Sequence, residues 1–212
     1  MTPAAVLTGR PAAAKGSHWA QRSACHTTNA DDFFEPGPAA QARAREICLT
    51  CPVRVACLTD RAAGGIAETE GMVGGLDEAQ RRVLKVAELI GERPDLERAE
   101  QLLSPSWRYR LHKLRNGGHA PRRMAEILTG EGLTVDAITV RVALWWVGGS
   151  GKALARRASR DRRPLWQRLR DDHADEIRRL RGSGARHIDV AEYLGVHVGT
   201  STRAVQSLEV AA

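Results

Sequence analysis

The sequence predicts an all-α protein: a small four-cysteine helical domain with a short Gly-rich turn, followed by helix-turn-helix-like helical units. Three observations carry this. Runs of alternating β-branched residues are nearly absent, while segments rich in Ala, Leu, Glu and Arg recur. The 212 residues are 42% hydrophobic and only 4% aromatic, enough for small helical cores but not for a large sandwich or barrel. Three of the four cysteines, Cys48, Cys51 and Cys57, crowd into one stretch, with Cys25 alone upstream.

In chain order, residues 1–17 are rich in Ala, Pro and Gly and are expected to be disordered; a cysteine domain follows over 18–92. After the turn-rich Glu35-Pro36-Gly37-Pro38, a helix is expected from Ala39 to Cys48. Pro52 suits the first turn of a second helix, where its missing N–H costs nothing, and Gly64-Gly65 suits its end. The two helices would deliver three thiols to one point. In Gly71-Met72-Val73-Gly74-Gly75 the glycines Gly71, Gly74 and Gly75 mark a tight turn, and Asp77 is placed to cap a helix from Glu78 to about Ile90. Of the adjacent Phe33 and Phe34, which cannot share one helix face, one is expected in the core.

Four thiols on an otherwise cysteine-free chain point to one shared metal centre. Zinc is an alternative ligand, although structural zinc sites commonly use two Cys-x2-Cys pairs and only Cys48-x2-Cys51 is present. A Cys-x-x-Cys disulfide reductase is a further alternative, needing a βαβ setting for which no strands are evident. His26, beside Cys25, reads as a surface histidine. No paired carboxylates, nucleophile–base set or nucleotide loop emerges, so no enzyme and no small-molecule substrate are expected. Gly148-Gly149-Ser150-Gly151-Lys152 has the wrong spacing for a phosphate loop and reads as a hinge. No signal peptide or run of about 20 apolar residues is seen, so a cytoplasmic protein without membrane contact is expected.

Charge divides the chain. Residues 1–100 carry 12 Lys and Arg against 14 Asp and Glu, and residues 101–212 carry 20 against 11. A basic back half favours a polyanion, most simply DNA. That half contains two similar stretches. Leu114 to Leu128 aligns with Leu180 to Leu194 at an offset of 66, and Thr139 to Val142 with Ser201 to Ala204 at an offset of 62. Each reads as three helices and resembles the helix-turn-helix pattern. The units are assigned to 100–150 and 171–210, with a basic linker at 151–170 that includes Arg156 and Arg157. A plain tri-helical packing module is the alternative. Ala191 and Gly195 fit the pattern well, which makes the second unit the better DNA-binding candidate; its third helix offers Thr200, Thr202, Arg203 and Gln206 to a groove. Ser201 falls where the pattern normally has an apolar residue, and Trp145 and Trp146 read as core.

Cys25 with Asp31-Asp32-Phe33-Phe34, then Cys48-x2-Cys51-Pro52-Val53-x3-Cys57-Leu58, then the Gly71-x-x-Gly74-Gly75 turn, resembles the WhiB-like family of actinobacterial and phage iron–sulfur transcription regulators over about residues 19–85. The resemblance implies a 4Fe-4S cluster held by Cys25, Cys48, Cys51 and Cys57 and responsive to oxygen or nitric oxide. It implies binding to the primary sigma factor of RNA polymerase, with Trp19, Phe33 and Phe34 at matching aromatic positions. It also implies an apo form of distinct activity, in which Cys48 and Cys51 are placed to form a disulfide. In this turn the family normally has Trp where this chain has Val73, a smaller side chain for a partner to grip.

Overall fold

A computed structural model describes residues 19–35, 37–63, 70–148 and 163–210. Arg156 and Arg157, the proposed hinge at 149–151, Gly64-Gly65 and the expected disordered stretch 1–17 lie outside the described residues. Among the described residues there is no strand; a single antiparallel bridge pairs Val73 with Leu76.

Three one-turn 3-10 helices, Ala20–Arg22, Ala24–Thr27 and Ala30–Phe33, lead into α1 (Pro38–Thr50) and α2 (Arg54–Ala63). Helix α1 ends where Cys51 turns extended with its N–H on the Cys48 carbonyl, and Pro52 follows. Helix α3 (Glu78–Leu89) starts at a capping box: Asp77 accepts from the Gln80 N–H, and the Gln80 side chain accepts from the Asp77 N–H. Asp95 caps the short α4 (Leu96–Gln101).

The back half repeats itself. Helices α5 (Pro105–Asn116), α6 (Pro121–Gly130) and α7 (Ala137–Trp146) are followed by α8 (Leu165–Asp172), then by α9 (Ala174–Gly182), α10 (His187–Leu194) and α11 (Val198–Glu209). The exits from α5 and α9 use the same bonds. His119 and Ala185 donate to the carbonyls of Leu114 and Leu180, and Gly118 and Gly184 to those of Arg115 and Arg181. The units then diverge. Residues 131–136 join α6 to α7, whereas only Gly195, Val196 and His197 join α10 to α11, with Gly195 left-handed at φ 68°. That short αL turn is the one a helix-turn-helix requires.

One hydrophobic cluster runs from Leu58 to Leu208, joining the cysteine-bearing helices to both back-half units. Helix α7 sits at its centre: from Ile138 to Trp146 every residue except Arg141 is buried. The near-continuous apolar run of α7 is therefore explained by burial on all sides rather than along one stripe. The link between front and back is also polar. Arg82 of α3 pairs with Glu192 of α10 at 3.1 Å, and the Tyr193 hydroxyl donates to Glu92 at 2.6 Å. Arg141 donates to the Tyr193 carbonyl at 2.7 Å and lies over its ring.

Candidate metal centre and nucleic-acid interface

The four thiols come from separate elements. Cys25 lies on the second 3-10 helix, Cys48 in the last turn of α1, Cys51 at its C-cap and Cys57 on α2. Cys25 is exposed, Cys48 is buried, and Cys51 and Cys57 are half-buried. Burial pushes the Cys48 thiol up to about 12; a hydrogen bond from the Gly75 N–H opposes this, and the charges of Cys57, Cys25 and Cys51 add to it. All four sulfurs thus share one electrostatic neighbourhood. Two receive backbone hydrogen bonds: Cys48 from Gly75, and Cys51 from the Ala24 N–H at 3.4 Å. Among the described residues, no three His, Cys, Asp or Glu side chains are gathered tightly enough to hold a single metal ion.

The loop between Cys51 and α2 is held by Arg54, whose side chain is only 4% exposed. Its Nη1 donates to the carbonyls of Leu49 (3.0 Å) and Cys48 (3.5 Å) at the end of α1, the second of which also accepts from the Cys51 N–H. Its Nη2 donates to Glu100 of α4 at 2.9 Å, and its guanidinium lies 4.3 Å from the centroid of the Trp146 ring. Burial lowers the Arg54 pKa, while Glu100 and the Cys48 and Cys51 thiols favour its charged form.

The glycine turn packs tightly on this loop. Arg81, fully buried, donates to the carbonyls of Gly71 (2.6 Å) and Leu76 (2.8 Å) and so fixes both ends of the turn. Gly75, at φ +79°, is approached by both Trp146 and Cys48: a Cβ there would lie 3.0 Å from Trp146 Cδ1 and 3.4 Å from Cys48 Cβ. Trp146 Nε1 donates to the Gly74 carbonyl at 2.8 Å.

The residues assigned to partner contact divide. Phe33 is half-buried and packs against Ala44, Cys48 and Met72, whereas Phe34 is 61% exposed. Trp19 is half-buried, and its Nε1 has no hydrogen-bond partner. Val73 is buried, paired to Leu76 and turned into the core, so its side chain offers almost no surface.

In the second helical unit, Arg203 and Gln206 are exposed on α11, while Thr200 and Thr202 are half-buried, with the Thr202 hydroxyl donating to the Val198 carbonyl. His197 caps the helix by accepting from the Gly199 N–H. Ser201 is fully buried and donates to the His187 carbonyl at 3.3 Å, which accounts for a polar residue at an apolar position of the pattern. Arg170 of α8 reaches Ser207 of α11 at 3.5 Å and adds charge beside this face. In the first unit, the equivalent helix α7 has no face left for a groove.

Sequence reasoning missed Arg54, Glu100 and the contact of Trp146 with the turn. Trp146 was legible as core from its apolar run, but nothing local connects it to a turn 72 residues earlier.

An all-helical four-cysteine unit packed against a helix-turn-helix-like unit defines a class of regulator-like protein with two candidate sites, one for a metal and one for nucleic acid. Residues 19–84 match the family model described as transcription factor WhiB. The chain is 38% identical over 69 residues to the transcriptional regulator WhiB of Streptomyces coelicolor, covering 32% of this chain and 77% of that protein. It is 39% identical over 66 residues to the transcriptional regulator WhiB4 of Mycobacterium tuberculosis (31% of this chain, 53% of that protein). It is 38% identical over 72 residues to WhiB2 of Mycolicibacterium smegmatis (34% and 54%). The chain thus spans about half the length of the latter two. No solved structure matches it. This chain belongs to the WhiB family of transcriptional regulators. No helix among the described residues is long and apolar enough to cross a membrane.

Proposed function

We propose that this chain is a transcription regulator in which Cys25, Cys48, Cys51 and Cys57 hold a 4Fe-4S cluster and the α10–α11 pair binds DNA. The observation that carries the reading is the convergence of four thiols from three parts of the chain into one electrostatic neighbourhood. The donor set fits the group: four thiols, two already accepting backbone N–H bonds of the kind that stabilise sulfur ligands. Structural zinc sites commonly use two Cys-x2-Cys pairs, and this chain has only Cys48-x2-Cys51. The bound cluster would supply iron–thiolate bonds open to oxygen and nitric oxide.

The chain's own residues do the rest. Arg54 holds the ends of α1 and the Cys51 loop, and places a positive charge beside the Cys48 and Cys51 sulfurs. Loss of the cluster would remove the tie between Cys25 and the thiols of α1 and α2, and oxygen, taking up two electrons and two protons, would oxidise Cys48 and Cys51 to a disulfide. The exposed Phe34 and the half-buried Trp19 and Phe33 form the face proposed to meet the primary sigma factor. Arg203 and Gln206 read the DNA groove, with Thr200 and Thr202 at its edge and Arg156, Arg157 and Arg170 proposed to meet phosphates. The proposed division is a cluster domain at 18–92, helical units at 100–150 and 171–210, and a basic linker at 151–170.

Metal analysis and visible absorption of protein purified without air test the reading. About four irons per chain with a brown chromophore are expected. Colourless protein carrying one zinc, or DNA and sigma-factor affinities identical with and without metal, would overturn it.

A further inference from the structure

The segment that matches the family ends at residue 84, yet the wall of its thiol site is supplied by a residue 62 positions further on. The Gly74 carbonyl and the Gly75 N–H belong to one planar peptide unit and point in opposite directions. Trp146 Nε1 donates to that carbonyl at 2.8 Å, and that N–H sits beside Cys48, where it opposes the rise of the thiol pKa. The indole therefore sets the plane of the peptide unit that packs beside Cys48. The same ring lies against Gly75, where an added Cβ would meet both it and Cys48, and carries the Arg54 guanidinium at 4.3 Å. Arg54 in turn holds the Cys48 and Leu49 carbonyls. Cys48 is thus held twice, once by the glycine turn packed on its side chain and once through its backbone carbonyl, and both holds converge on Trp146.

We propose that Trp146 and Arg54 are positioning residues for Cys48, so that the four-thiol site is completed by the C-terminal helical body rather than by residues 19–84 alone. Helix α7 carries this role because it is the central helix of the shared core. Any change that parts α7 from the glycine turn releases Cys48, and any change at Cys48 is felt first by α7. The inference rests on the four-thiol reading only in calling the site a metal centre.

The test uses reduced, metal-free, full-length protein, so it stands or falls whether or not iron is later found. Each cysteine is alkylated under native conditions and its rate is read by peptide mass spectrometry. In the parent protein Cys25 reacts fast and Cys48 slowly. Trp146→Phe keeps a ring over Arg54 but removes the donor to Gly74; it raises the Cys48 rate about fivefold to tenfold, the worth of one hydrogen bond. Trp146→Ala also removes the wall and raises it about a hundredfold or more. Both leave the Cys25 rate unchanged. Leu180→Ala, a core truncation in α9, is the control for general loosening. The proposal is overturned if Cys48 reacts no faster in the two Trp146 variants, or if Leu180→Ala accelerates it to the same extent.

Discussion

Gly75→Ala is the perturbation that most directly measures the contact between the two halves. Two costs act at this position. The backbone sits at φ +79°, where a Cβ costs about 1–2 kcal/mol. The added methyl also meets Trp146 Cδ1 at 3.0 Å, its Nε1 at 3.2 Å and Cys48 Cβ at 3.4 Å, between two side chains that the core holds in place. Overpacking of this kind costs about 1–3 kcal/mol more. The expected loss is therefore about 2–5 kcal/mol, a large share of the stability of an ordinary domain. Gly91 provides the internal standard. It has nearly the same backbone, φ +74°, and a Cβ there would meet nothing within 4 Å. Gly91→Ala pays only the backbone cost, and the loss of chain entropy in the unfolded state is common to both variants and cancels.

Urea denaturation of both variants in the reduced, metal-free state reads the difference directly. Gly75→Ala should be less stable than Gly91→Ala by about 1–3 kcal/mol. The excess should shrink when Gly75→Ala is made in a Trp146→Ala background, because the space vacated by the indole accepts the methyl. Equal losses at Gly75 and Gly91, or an excess that survives removal of Trp146, would show that the turn is not pressed between α7 and Cys48.

Three further outcomes are expected. Arg203→Ala should weaken DNA binding, measured by fluorescence anisotropy, by about 1–3 kcal/mol if it reads a base, or lower the salt slope by about one if it meets a phosphate; unchanged binding would remove α11 from the interface. Ser201→Ala removes the hydroxyl's hydrogen bond to the His187 carbonyl and should cost about 1 kcal/mol in chemical denaturation, whereas a neutral result would mean that this bond contributes nothing. Burial raises the Glu176 pKa, but the hydrogen bond from His173 and the charges of Arg141 and Arg122 outweigh it, and the net shift is downward from 4.5. A carboxylate depressed in the folded state contributes stability above its unfolded pKa and loses it as pH falls through the folded value. Acid titration should therefore show a loss below about pH 4.5 that Glu176→Gln flattens.

What was legible in the sequence follows the range of the forces involved. The cap at Asp77 and the Gly195 turn are local chemistry, decided within a few residues, and the structure places them where the chain signals them, whereas Pro52, expected in the first turn of the second helix, stands in a turn two residues before it begins. The family motif likewise sits in short spacings. The Leu-Arg-x-x-Gly repeat foresaw the matching exits of α5 and α9. What stayed hidden is long-range. Arg54 gives no sign in its own neighbourhood that it will reach Glu100 and Trp146, and Val73 reads equally well as a surface or a core residue until the turn is seen closed over Leu58. Ser201 looked like a flaw in the helix-turn-helix pattern because its partner, the His187 carbonyl, is a backbone group that no side-chain pattern encodes.

The two helical units show how one pattern serves two ends. In α11 the buried residues Ser201, Ala204, Val205 and Leu208 form one stripe, which leaves Arg203 and Gln206 free on the opposite side. In α7 the residue matching Arg203 is Arg141, which is tied to Tyr193, and the rest of the helix from Ile138 to Trp146 is buried. An exposed face so apolar would attract other chains, so α7 needs a cover, and the front-half helices supply it. This accounts for the joint core of the two halves. It also makes the contact between Trp146 and the glycine turn the place where a change at the cysteines meets the part of the chain proposed to hold DNA.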